Sequence, residues 1–64
     1  MKSIEQMRKD GYPLKIIDCE GYEATLVGCQ PLFDGDYMAL YRFPGGNRCV
    51  ELYEIKYYFT IKER

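Results

Sequence analysis

Three cysteines, at positions 19, 29 and 49, are the most reactive side chains in a 64-residue chain that contains no histidine. No two of them have C-x-x-C spacing. A structural zinc site needs four sulfur or nitrogen ligands, more than these three cysteines supply. An odd count also argues against a secreted disulfide framework. The expectation is free thiols buried as small apolar groups in a reducing cytoplasm. Without imidazole, a cysteine nucleophile lacks its usual base and the commonest general acid–base residue is missing. The only serine, Ser3, stands where a helix cap is needed, which leaves no serine nucleophile. Asp34 and Asp36 are the nearest pair of carboxylates for acid–base work, but the other ligand positions of a calcium loop are absent around them. A solvated turn accounts for both. Gly45-Gly46 lacks the lysine and the following helix of a phosphate-binding loop. No catalytic, cofactor-binding or metal-ligating residue is assigned, and the chain is expected not to be an enzyme.

Charge is more informative than reactivity. The net charge is −1, but the signs are segregated along the chain. Asp18, Glu20, Glu23, Asp34 and Asp36 fall between Lys15 and Arg42, where no basic residue occurs. Arg42, Arg48, Lys56, Lys62 and Arg64 follow, and Lys2, Arg8 and Lys9 precede. Small barrels bind nucleic acid through aromatic platforms flanked by cations, and Tyr41, Arg42, Arg48, Tyr53, Tyr58 and Lys62 have suitable side chains. Phosphate contacts dominate such affinity, and a chain with no net positive charge attracts phosphate poorly. Nucleic-acid binding is therefore the alternative and not the first expectation.

The elements that must position these residues centre on Asp36–Ile55, which has the form of a β-hairpin around Pro44-Gly45-Gly46-Asn47. Side-chain pairing favours a two-residue turn at Gly46-Asn47. That register sets Phe43 against Val50, Tyr41 against Leu52 and Arg42 against Glu51. Before the hairpin, Ser3 and Gln6 have capping-box spacing, and Gly11 with Pro13 stops a helix of about two turns over residues 3–10. Leu14–Cys19 reads as a first strand and Tyr22–Val27 as a second, with Tyr22, Ala24 and Leu26 on its core face. Residues 28–35 read as a loop. After the hairpin, over residues 37–54, the apolar parity changes: Val50 and Leu52 share one face, while Ile55, Tyr57, Phe59 and Ile61 share the other. A bulge or a 3₁₀ turn near Tyr53-Glu54 is needed to reset the phase before a fifth strand over residues 56–62.

These elements predict one domain over residues 1–64 with antiparallel strands across 13–62. The expected fold is mostly β (α+β): a small five-stranded, partly open antiparallel barrel with one short N-terminal helix. It resembles the SH3-like barrel in architecture only, because no sequence motif of that family is present. The N-terminus is too polar for a signal peptide, no apolar run approaches the length of a membrane span, and no membrane association is expected.

A chain this short buries only about 60% of its unfolded surface, so association is a natural source of further stability. Leu32 and Phe33 fall in a loop, and Tyr58 points away from the expected core. These three are the candidate partner-binding residues. The function they suggest is a non-catalytic protein-interaction module whose partner is another protein or a second copy.

Overall fold

A computed structural model describes residues 2–63. In chain order it contains α1 (Ile4–Lys9), β1 (Lys15–Ile17), β2 (Glu23–Pro31), a 3₁₀ turn (Phe33–Gly35), β3 (Tyr37–Phe43), β4 (Gly46–Val50), α2 (Leu52–Tyr58) and β5 (Thr60–Glu63). The strands form one antiparallel sheet in the order β4-β3-β2-β1-β5. β4 and β5 are its two edges, and no pairing among the described residues closes it into a barrel.

One face of the sheet carries the core. Ile16 on β1, Ala24 and Leu26 on β2, Ala39, Tyr41 and Phe43 on β3 and Val50 on β4 are all buried. Met7 from α1, Tyr12 from the segment after it and Ile55 from α2 cover them. Tyr41 is the largest fully buried side chain, and its hydroxyl donates a 2.6 Å hydrogen bond to the Pro13 carbonyl. A buried phenol needs such a partner, because an unpaired polar atom in the interior costs about 1–3 kcal/mol. The bond also fixes where the chain crosses the sheet between α1 and β1.

α1 forms as its sequence requires. The Ser3 hydroxyl accepts from the Gln6 N–H at 3.1 Å, Glu5 lies in the first turn, and Arg8 and Lys9 lie in the last. That charge order suits the helix dipole. The Gln6 side chain does not complete the box; its amide donates to Asp10 Oδ1 at 3.2 Å. Gly11 then adopts φ 109°, a backbone angle that side chains with a Cβ rarely take.

The hairpin exists, but its turn is Pro44-Gly45. Phe43 pairs with Gly46, Tyr41 with Arg48 and Ala39 with Val50. Proline presets the first turn position, and Gly46 takes φ 138°, which suits glycine. The expected register is thus displaced by an even number of residues. An even slip keeps every side chain on its face, which is why Tyr41, Phe43 and Val50 are still inward.

The expected fifth strand over 56–62 is corrected most. Residues 52–58 form the two-turn helix α2, and β5 begins only at Thr60. Ile55 and Phe59 satisfy a strand parity and an i, i+4 helical spacing equally well, so alternation alone misassigns them. Glu54 Oε1 accepts from the Glu51 N–H at 3.0 Å, the arm of a capping box. Leu52 consequently opens a helix beside Gly11 and does not pair with Tyr41. β2 runs on to Pro31, through residues expected to be loop. A register shift between Leu26 and Gly28 marks a bulge at Val27, which brings Cys29 to the core side opposite Ala39.

Two substitutions test this packing. Tyr41→Phe should cost about 1–3 kcal/mol by stranding the Pro13 carbonyl, and Ser3→Ala about 0.5–2 kcal/mol by removing the cap. For a domain of this size each kcal/mol lowers the melting temperature by roughly 4–8 °C. A wild-type melting curve for Tyr41→Phe would show that the bond does not hold the crossing.

Candidate interaction surface

The loop between β2 and β3 is short and held at its base. Leu32 donates its N–H to the Asp36 carbonyl at 2.8 Å, and Asp36 donates to the Phe33 carbonyl at 3.3 Å. Asp34 takes the left-handed conformation at φ 63°, which aspartate tolerates better than most residues. These constraints leave Phe33 at the tip with 91% of its surface exposed, and Leu32 partly exposed beside it. Phe33 therefore does not plug the core.

α2 presents a second aromatic surface. Ile55 faces the sheet, and Tyr53, Tyr57 and Tyr58 stand outside, Tyr57 at 78% exposure and Tyr58 at 66%. Tyr53 and Tyr57 are four residues apart and share one face of the helix. The carboxylates of Glu54 and Glu51 raise the pKa of the Tyr53 phenol, so it stays neutral. Tyr58 is outward, as expected, though from a helix and not a strand. Tyr57 was expected on the core side; the i, i+4 tyrosine pair was the signal for its true position.

At the opposite end of β3 the turn borders an open cleft of 590 Å³, lined among others by Asp18, Tyr22, Phe43, Pro44 and Arg48. Tyr22 was expected in the core with Ala24 and Leu26. It precedes β2 instead and is 53% exposed. Asp18 Oδ1 accepts from the N–H groups of Glu20 and Tyr22 at 2.9 and 2.8 Å, which shapes the turn that carries this tyrosine. The Arg48 guanidinium lies 5.1 Å from the centroid of the Phe43 ring, a cation–π contact. Phe43 is itself braced by Phe59, with ring centroids 6.1 Å apart.

The candidate nucleic-acid residues do not assemble into one platform. Tyr41 is fully buried and its ring cannot stack on a base. Arg42 is exposed on the outer face of β3, in register with Thr25 and Asn47. Tyr53 is on α2, and Arg48 covers Phe43 at the β4 edge. Lys62 donates to Glu23 Oε1 at 2.9 Å, while Lys15 lies 3.6 Å from Oε2 of the same carboxylate. The Lys62 hydrogen bond is the main cause of the lowered pKa of Glu23. Arg64 lies outside the described residues.

At the other end, Asp10 gathers the N-terminus. It accepts hydrogen bonds from the Tyr37 hydroxyl and the Gln6 amide, and Lys2 Nζ lies 3.5 Å away. Lys2 also sits 5.1 Å from the Tyr37 ring centroid. The Tyr37 bond holds the carboxyl of Asp10 below its ordinary range, with Gln6 and Lys2 acting in the same direction against partial desolvation. Burial, followed by the Asp10 carboxylate, pushes the Tyr37 phenol far up. Tyr12, close to the Tyr37 ring, is raised first by burial and then by Glu51, Asp10 and Asp36. The cysteines are free but not buried as expected: Cys19 and Cys49 are exposed, in a turn and on the edge strand β4, and Cys29 is half-buried. Among the described residues no group of three cysteine, aspartate or glutamate side chains converges as a metal site, and no helix is long and apolar enough to cross a membrane.

No protein-family model, curated protein or solved structure matches the chain.

Asp10 makes a prediction about acid. A carboxyl with a lowered folded-state pKa contributes stability that is present above its unfolded value, ordinarily 3.8, and is lost as pH falls through the folded value. The melting temperature should therefore fall on acidification below that range. Tyr37→Phe should flatten this slope, as seen by melting at a series of pH values. An identical slope in the variant would show that the bond does not set the Asp10 pKa.

Proposed function

We propose that this chain is a small, non-catalytic protein-binding module, able to associate with another protein or with itself. The observation that carries this is the division of its aromatic residues. Of seven tyrosines and three phenylalanines, Tyr22, Phe33, Tyr53, Tyr57 and Tyr58 stand exposed outside a core that is already closed. Aromatic side chains are enriched at protein interfaces, where they supply large contact area at low conformational cost. Phe33 and the α2 tyrosines are mounted on hydrogen-bonded or helical backbone, so little ordering is needed on contact. The absence of histidine from the sequence supports a non-catalytic role. We also read the sheet as an opened SH3-like barrel, on the strength of its strand order and the helical break between β4 and β5.

Nucleic-acid binding is the second reading. What favours it is Arg42 in a polar row with Thr25 and Asn47 across the outer face of the sheet. Salt separates the two, since phosphate contacts weaken steeply as salt rises and apolar contacts do not.

The test is chemical cross-linking and capture in cell extract, with wild type and a Phe33→Ser/Tyr57→Ser/Tyr58→Ser variant as baits. All three residues are exposed, so the variant should melt within a few degrees of wild type. Protein binding predicts partners held by wild type in high salt and lost by the variant. Nucleic acid released by salt would overturn it, and equal retention by both baits would overturn binding to another protein through these three residues.

A further inference from the structure

We propose that copies of this chain join head to tail, with Phe33 of one copy seated in the cleft between Tyr22 and the β3–β4 turn of the next. This contact rests on the protein-binding function proposed above and names one partner and one site for it. Phe33 and the cleft lie at opposite ends of β3, because Phe33 precedes Tyr37 and the turn follows Phe43. A seven-residue strand separates them by roughly 20 Å, so a copy does not fill its own cleft.

The contact would set an apolar projection in an apolar-walled cleft and bring carboxylates to the Arg48 guanidinium. Phe33 is an apolar projection with nine-tenths of its surface in water. The cleft, at 590 Å³, falls within the ~300–1,000 Å³ range of sites that accept a compact group, and Tyr22, Phe43 and Pro44 give it apolar walls. Asp34 and Asp36 follow Phe33 in the same loop, and no cation among the described residues pairs with either. The cleft carries Arg48, whose guanidinium lies over the Phe43 ring and forms no ion pair among the described residues. An exposed cation–π contact is worth about 0.5–1 kcal/mol, so the guanidinium can turn to meet an incoming carboxylate at little cost. Asp18, the acidic residue of the lining, has one oxygen held by two backbone N–H groups. Its charge directs the acidic loop toward the Arg48 side.

Projection and cleft are different patches, which makes the contact heterologous: it generates open chains or rings and not a symmetric dimer. That property gives a test by complementation. Light scattering coupled to size exclusion is applied, in reducing buffer, to wild type, Phe33→Ser, Arg48→Glu and an equimolar mixture of the two variants. Tyr22→Ser serves as a second cleft variant that leaves Arg48 in place. All three positions are exposed, so the variants keep the fold, which a melting curve checks.

Wild type should grow in mass with concentration beyond two copies, and each variant alone should stay monomeric. The mixture should stop at two copies, since the intact Phe33 of Arg48→Glu enters the intact cleft of Phe33→Ser and no further contact can form. A wild type that is monomeric throughout overturns the head-to-tail contact and leaves protein binding to be judged by the capture experiment. A dimer unaffected by Phe33→Ser, or variants that do not complement, also overturns it while keeping self-association. A head-to-tail chain alongside equal capture by both baits would leave self-assembly standing as the only protein contact.

Discussion

The hydrogen bond from the Tyr41 hydroxyl to the Pro13 carbonyl holds together the parts of this fold that secondary structure alone does not connect. The strands are joined by backbone pairing, which reaches back to the Leu14 carbonyl through the Leu26 N–H at 2.8 Å, whereas α1 and Tyr12 pack on the sheet through side chains. Tyr41 sits on the central β3 and its hydroxyl reaches the point where that segment passes. Its ring fills the middle of the core, against which Met7, Tyr12 and Ile55 pack from the covering elements. With the phenol paired, the described residues leave no buried side-chain polar atom unsatisfied. Among the described residues, the chain's own helices and the Tyr12 segment thus close the interior over the core face of the sheet.

That completeness gives the exposed aromatic residues their meaning. Burying one Phe-sized side chain contributes about 1.5–3 kcal/mol, so five rings left in water forgo a sum comparable to the whole stability of a small domain. The fold does not lack means of covering them: it buries Tyr12, Tyr41 and Phe43 and half-covers Tyr37 and Phe59. The exposed ones lie on a tight loop, on the outer side of α2 and beside the β3–β4 turn, all outside the core face. Placement of this kind suits recognition better than stability.

Much of the architecture was legible because it follows from local chemistry. Ser3 and Gly11 bound α1, and alternation identified Ala24 and Leu26 as inward. Parity placed Tyr41, Phe43 and Val50 on one face even though the turn was displaced, since the displacement was even. The helix α2 was not legible from alternation, because Ile55 and Phe59 fit both periods and the tyrosines around them favour strands. Glu51 and Glu54 at capping spacing were the available sign. The extent of β2 was hidden by Gly28 and Pro31, which read as breakers until the bulge at Val27 and the strand end account for them. Of the candidate site residues, Tyr58 is outward as expected, and Leu32 and Phe33, whose loop position alone is equally compatible with folding back over the core, are exposed. Tyr41 was read as core by parity and also as a stacking residue by type, and only the first holds, because a tyrosine's type does not disclose whether its hydroxyl has an internal partner. The cleft could not be seen at all, as it joins Asp18 and Tyr22 to residues more than twenty positions away.

The central claim is that a closed core is surrounded by aromatic contact sites. The most direct measurement is the backbone amide spectrum recorded over a series of protein concentrations. Shifts should be confined to residues 32–36, the β3–β4 turn and α2, with the amides around Ile16, Ala24 and Tyr41 unmoved. Shifts centred on those core strands, or a spectrum indifferent to concentration and to every captured protein, would contradict it.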